Sequence, residues 1–190
     1  MTTLCGRRVT LDTFEEGQIN ERYLGWLSDP VVNTYSRRSD QRSVLASEAR
    51  AYLASLGPEE EVLAIHTSQH GHVGNVKFGP IDRTASRADI SILIGERSVW
   101  GQGIGRESVY LVSKYLIWTV GLNRVDAGTT NPAFVRMVQS LGWQVEGVLR
   151  EKISIGSRIY DQTLVALLAD GFQELSEYAP TSSDYHGTVL

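Results

Sequence analysis

The glycine-rich stretch Trp100-Gly101-Gln102-Gly103-Ile104-Gly105-Arg106 follows closely on the apolar run Ile90-Ser91-Ile92-Leu93-Ile94. No other segment constrains the fold as strongly, because it specifies a strand, a tight turn and a helix start in one place. The pattern predicts a helix from about Gly103 to Val120. Glycines let the backbone approach a ligand closely, and the N–H groups of a first helical turn have no partner inside the helix. With the positive end of the helix dipole, those donors suit a pyrophosphate. The phosphate loop of nucleotide triphosphatases is excluded, since no Lys-Ser/Thr pair follows the glycines. The dinucleotide fingerprint fits poorly too, because its third glycine would fall on Ser108. A tight strand-to-helix connection without any ligand is the alternative reading of the same residues.

Strand and helix patterns alternate around this turn. Arg8–Leu11 reads as a first strand, and Ile19, Tyr23, Trp26 and Leu27 have helical spacing up to Asp29-Pro30. Ala46–Leu56 reads as a second helix stopped by Gly57-Pro58, although Ser47 with Arg50 makes no capping box. Glu61–His66 is a strand, Gln69-His70-Gly71 a hairpin turn, and Val73–Ile81 and Arg87–Ile94 two further strands. Arg124–Thr129 is a strand and Pro132–Ser140 a helix with proline in its first turn. Trp143–Leu149, Lys152–Ile155 and Thr163–Leu168 complete an α+β arrangement around a mixed sheet.

Composition is consistent with a single domain over residues 1–178, followed by a polar tail from Ala179 to Leu190. A net charge of −4 argues against nonspecific binding to nucleic acid. The single cysteine, Cys5, excludes an internal disulfide and a cysteine-rich zinc site, and suggests a reduced, cytoplasmic setting. No leader pattern or bilayer-length apolar run is visible, so no membrane partner is expected.

The glycine turn resembles the acetyl-CoA-binding turn of the GCN5-related N-acetyltransferases, Gln/Arg-x-x-Gly-x-Gly/Ala. Trp100 stands at the Gln/Arg position, as is common in the branch of ribosomal-protein and spermidine acetyltransferases. Asn131 and Gly142-Trp143 match the second signature of that family, an Asn at a helix start and Leu-Gly-Phe/Trp at its end. Leu149-Arg150-Glu151, Gly156 and Asp161 are similar to the closing hairpin of the ribosomal-protein-acetyltransferase-like branch. Trp26-Leu27-Ser28-Asp29-Pro30-Val31-Val32-Asn33-Thr34-Tyr35 matches its first-helix region. The resemblance runs from about Val9 to Ala169. It implies a GNAT fold: a mostly antiparallel sheet of six to seven strands with helices on both faces.

The resemblance also implies an activity, acetyl transfer from acetyl-CoA to a primary amine, with direct attack in a ternary complex and no metal. Such a reaction needs a neutral amine, a polarised thioester carbonyl and a proton for the departing thiolate. A backbone N–H near Leu93 or Ile94 can polarise the carbonyl. Gln102, Gly103, Gly105 and Arg106 would supply donors to the pyrophosphate. Asn131 matches the residue that binds the pantetheine arm and doubles as a helix N-cap. Arg136 is placed for the 3′-phosphate or adenine, or simply on a solvated helix face.

Asp89 is the candidate general base, from Ala88-Asp89-Ile90 where the family has Ala-Glu-Ile; a strand-end surface charge is the alternative. Glu96 reads as a solvated loop residue. His72 titrates in the right range, yet His66, His70 and His72 read equally as surface or structural residues. The family's usual thiolate acids are missing, since Val138 stands at the Tyr position and Phe134 at the Ser position. Tyr160 is a substitute, with water as the alternative.

Acceptor choice falls to Trp26, Tyr35, Arg37, Arg38, Asn75, Lys77 and Phe78, where rings and cations suit an amino sugar or sugar nucleotide. Trp26 and Tyr35 also read as core. The expected partner is therefore a small-molecule amine, with a homodimer through the C-terminal strands also plausible. A protein N-terminal acetyltransferase and a non-catalytic acetyl-CoA-binding domain are the alternative functions. A nucleotide-binding domain unrelated to CoA is a third.

Overall fold

Period-two alternation sorts the apolar side chains of the central strands onto two faces, and two cores form on opposite sides of one sheet. In β3 (Glu61–Thr67), Leu63 and Ile65 enter one core while Val62 and Ala64 enter the other. The structure, a computed structural model, describes residues 1–36 and 43–180. Arg37 and Arg38 and the tail beyond residue 180 lie outside the described residues.

The other strands are β1 (Thr3–Cys5), β2 (Thr10–Thr13), β4 (Gly71–Phe78), β5 (Arg87–Ile94), β6 (Arg124–Thr129), β7 (Gln144–Ile155) and β8 (Arg158–Leu168). Among the described residues they form an eight-stranded sheet in the order β1-β2-β3-β4-β5-β6-β8-β7. Every neighbouring pair is antiparallel except β5 and β6, which run parallel.

Eight strands exceed the expected six to seven for a local reason. Thr3–Cys5 adds an edge strand through a hairpin whose turn, Gly6 to Val9, is closed by Gly6 N–H donating to the Val9 carbonyl at 2.9 Å. That turn uses Arg8 and Val9, so the second strand begins at Thr10 rather than Arg8. The two expected segments Trp143–Leu149 and Lys152–Ile155 form one strand, β7, across an irregularity between Leu149 and Ile153.

Among the described residues four α-helices cover the sheet: α1 (Glu21–Ser28), α2 (Ala46–Ala54), α3 (Ile104–Lys114) and α4 (Pro132–Gln139). A π-helical turn at Tyr115–Thr119 extends α3 to the length the sequence indicates. Val109, Val112 and Leu116 of this helical run and Val138 of α4 pack with Leu11, Val73, Ile90 and Val125 in the larger core. Tyr23, Trp26, Leu27 and Ala49 of α1 and α2 pack with Phe14, Val62 and Ala64 on the opposite face.

The start of α1 is capped by Asn20, whose Oδ1 accepts from Tyr23 N–H at 3.0 Å. Its end is held by Asn33, 2% exposed, which donates from Nδ2 to the carbonyls of Trp26, Leu27 and Asp29 at 2.8, 3.2 and 2.8 Å. This pin turns Val31–Ser36 back over the sheet. In α2, Glu48 caps the start by accepting Leu45 N–H at 2.9 Å. Trp26 packs onto Gly95, just past β5, where a Cβ would overlap the indole ring.

Gly95→Ala is expected to destabilise the chain by roughly 1–3 kcal/mol through overpacking. Gly25 is exposed inside α1, with no atom within 4 Å of the place a Cβ would take, so Gly25→Ala should stabilise by about 0.5–1 kcal/mol. Urea unfolding of both variants checks the contrast, and equal effects would remove Trp26 from its place against Gly95.

Candidate active site

β5 and β6 are paired only at Arg87–Arg124, Ala88–Val125 and Asp89–Asp126. Beyond that point β5 stays with β4 and β6 stays with β8, so Ile90–Ile94 and Ala127–Thr129 diverge. In an antiparallel ladder the N–H and C=O of a residue point the same way, and successive residues alternate. Gly95 N–H donates to Val73 of β4 at 3.0 Å, so Leu93 also faces β4 while Ile92 and Ile94 face the gap. The Ile94 carbonyl accordingly accepts the Trp100 indole N–H at 2.9 Å. Of the two expected carbonyl-polarising donors, Ile94 points its amide into the gap and Leu93 contributes its side chain.

The glycine turn delivers the start of α3 to the open end of this gap. Gly101 and Gly103 take φ of +76° and +82°, which side chains with a Cβ rarely adopt. Glu107 N–H closes the first helical turn on the Gly103 carbonyl at 3.0 Å, leaving the N–H groups of Ile104, Gly105 and Arg106 without helical acceptors. Gln102 is engaged by the turn itself, its N–H on the Val99 carbonyl at 3.3 Å and its Nε2 on the Ser98 carbonyl at 2.8 Å. The Arg106 guanidinium turns away to Ser140 Oγ (2.9 Å), Glu177 Oε1 (2.6 Å) and the Tyr178 hydroxyl, so its backbone serves the site.

A cavity of about 750 Å³ lies here, lined among others by Tyr35, Ile94, Trp100, Gly103, Gly105 and Asn131. Its volume is in the range of cofactor and small-molecule sites. Asn131 caps α4, its Oδ1 accepting Ala133 N–H at 2.9 Å, while the residue also faces the cavity. Arg136 is exposed on α4 and is not among the lining residues.

Two smaller cavities, of about 240 and 170 Å³, share Ile92 and Leu93 with the large one. Tyr23, Asn75, Lys77 and Ser91 line the first. Tyr35, Gly128 and Phe134 line the second, which occupies the gap itself. Thr130 Oγ1 donates to the Tyr35 carbonyl at 3.1 Å and ties the segment after α1 across that gap.

Trp26 lines none of these cavities; its buried ring backs Tyr23 and His72. His72 sits among Phe14, Tyr23, Trp26 and His66, where burial pushes its pKa down and favours the neutral ring. Its Nε2 donates to Asn75 Oδ1 at 3.2 Å and thereby orients that amide. Lys77 is paired with Glu60.

Asp89 marks the last rung before the strands part, on the same face as Ser91 and Leu93. It keeps solvent contact, yet desolvation by the surrounding sheet, followed by the adjacent Asp126 charge, pushes its pKa up to about 6 against the pull of Lys77 and Arg87. Asp126 is itself held by Arg124 at 2.8 Å and Arg87 at 3.5 Å. Tyr160 lies opposite Ile153, beyond the part of β8 that pairs with β6, and lines none of the three cavities. Val138 is fully buried and Phe134 lines the gap, so both positions carry apolar rather than proton-donating groups.

Sequence patterns did not reveal Tyr23 or Asn33 as lining the acceptor-side cavity, because their place depends on contacts distant in the chain. Among the described residues no group of three or more His, Cys, Asp or Glu is arranged to hold a metal ion, and no helix is long and apolar enough to cross a membrane.

Comparison with known proteins agrees with this geometry. A model of the acetyltransferase (GNAT) domain matches residues 8–144. The uncharacterized N-acetyltransferase p20 of Bacillus licheniformis is 28% identical over 176 residues, covering 88% of this chain and 97% of its own. Alpha/beta-tubulin-N-acetyltransferase 9 of Homo sapiens is 24% identical over 164 residues, 75% of each chain. The spermidine N-acetyltransferase from Vibrio cholerae, solved with CoA and spermine, has the same fold, with a TM-score of 0.77 at 18% identity over 86% of this chain and 97% of that one. The parted strands, the glycine turn at the head of α3 and the family match over most of the chain thus agree: the chain belongs to the GNAT acetyltransferase domain family and is an acetyl-transferring enzyme.

Proposed function

We propose that this chain transfers the acetyl group of acetyl-CoA to the primary amine of a small acceptor, with an amino sugar or sugar nucleotide favoured. The parting of β5 and β6 beyond Asp89–Asp126 carries the reading. It joins the large cavity at the α3 start to the acceptor-side space at their shared residues, Ile92 and Leu93. There the amine nitrogen forms a bond to the thioester carbon, the carbon–sulfur bond breaks, the amine proton leaves to a base and the thiolate takes a proton. The Ile94 N–H is the donor for the carbonyl oxygen. Asp89 serves as base through water, and water returns the thiolate proton, with Tyr160 the weaker candidate.

The acceptor-side cavity supports an oxygen-rich amine. Its described lining includes Asn75, Lys77 and Ser91 and no carboxylate, a set suited to hydroxyl and carbonyl groups and with little attraction for a polycation. A protein N-terminal amine is the second reading; the likeness to the alpha/beta-tubulin-N-acetyltransferase supports a protein acceptor. A homodimer through β7, which exposes Val145, Val148 and Leu149, belongs to the same proposal.

Release of free CoA is to be measured with amino sugars, amino-sugar nucleotides, short peptides and spermidine. The expected result is kcat/KM for the sugar class at least about tenfold above spermidine. A preference for spermidine or peptide overturns the acceptor, and no release with any amine overturns the catalytic reading. The pH profile tests Asp89. A raised pKa means that the ionised base is present only above about 6, so kcat/KM should climb through that pH and level off. Asp89→Asn should remove this limb and lower the plateau by roughly a hundredfold; an unchanged profile removes Asp89 from the chemistry.

A further inference from the structure

Arg8 lies in the hairpin turn between β1 and β2, far in sequence from the glycine turn but against it in space. Its backbone N–H donates to Glu107 Oε1 at 2.8 Å, and Glu107 is fully buried on the first turn of α3. This bond docks the hairpin on the helix. The Arg8 guanidinium donates from Nη1 to the Gln102 carbonyl at 2.8 Å, and a Cβ on Gly103 would stand 2.7 Å from that nitrogen.

The Arg8 guanidinium is exposed at the start of α3. A cation beside a helix N-terminus is opposed by the helix dipole. Arg106, the other guanidinium at this end of α3, is matched by Glu177. Arg8 makes no ion pair among the described residues, although Glu177 lies within its field. A guanidinium has five N–H donors in a planar fork, and one carbonyl engages only part of that capacity. An anion seated between Arg8 and the free N–H groups of Ile104, Gly105 and Arg106 would be attracted by both the guanidinium and the helix N-terminus.

We infer that Arg8 is a binding residue for the pyrophosphate of the CoA moiety, contacting it from the N-terminal hairpin opposite the backbone donors of α3. This rests on the reading of the glycine turn as the acetyl-CoA site. Guanidinium and phosphate form paired, charge-assisted hydrogen bonds, which a backbone turn alone does not provide. Glycine at position 103 is what admits the guanidinium at this distance.

Calorimetric titration of the full chain with CoA, dephospho-CoA and pantetheine tests the assignment. Dephospho-CoA keeps the pyrophosphate and lacks the 3′-phosphate, and pantetheine lacks both. Arg8→Gln should weaken CoA and dephospho-CoA by the same factor, roughly tenfold, and leave pantetheine unchanged. Arg8→Lys should recover part of the loss. Arg7→Gln, an exposed neighbour in the same turn, should change none of the three. The substitution at Arg8 leaves the main-chain bond to Glu107 in place, and a thermal melt confirms folding. Undiminished CoA affinity overturns the assignment, as does a loss confined to CoA or one shared by pantetheine. Failure of the unmodified chain to bind CoA would instead overturn the donor-site reading on which the assignment stands.

Discussion

Beyond Asp89 and Asp126 the ladder between β5 and β6 stops, and backbone groups that a continuous sheet would pair are left for other partners. A buried, unpaired amide or carbonyl costs about 1–3 kcal/mol, so such an opening survives only where something else satisfies it. The Trp100 indole takes the Ile94 carbonyl, and the segment after α1 is strapped over the gap through Thr130 and Tyr35. The amides of Ile92 and Ile94 remain turned toward the cavities. The structural break and the chemical opportunity are therefore the same feature: a sheet that closed normally would have no room for a thioester and no donor to aim at it.

Charge is distributed along this opening with opposite sign at its two ends. At the glycine turn the unpaired N–H groups of the α3 N-terminus suit an anion, with the Arg8 guanidinium nearby and that of Arg106 turned away to Glu177. At the rung where the strands part, Asp89 and Asp126 stand side by side, and Arg87 and Arg124 neutralise Asp126 more directly than Asp89. Desolvation by the surrounding sheet, with the Asp126 charge beside it, pushes the Asp89 pKa up to about 6.

Much of this was legible from residue order. The run Ile90–Ile94, the glycines at 101, 103 and 105 and the helical pattern after them specify their own local conformation, because each depends on neighbours only a few residues away. Asn131 before Pro132 reads as a helix cap for the same reason. The edge strand Thr3–Cys5 was missed because three residues carry almost no periodic signal. The continuity of β7 was hidden by the irregularity near Glu151, where φ is +52°. Trp26 illustrates the limit for side chains. An aromatic beside a substrate region reads as either platform or core, and only its contact with Gly95 places it in the core, behind Tyr23.

By itself, then, the sequence determined the family, most of the elements and the glycine turn at the head of α3, since these rest on short-range spacing and backbone propensity. Tertiary structure alone decided which groups share the site: that Arg8 meets Gly103, that the Ile94 rather than the Leu93 amide faces the gap, that His72 serves Asn75, and that Asp126 stands beside Asp89. Those juxtapositions join residues from separate strands and turns. Their distances are set by sheet register and by where two strands part, and neither quantity is written in any local stretch of residues.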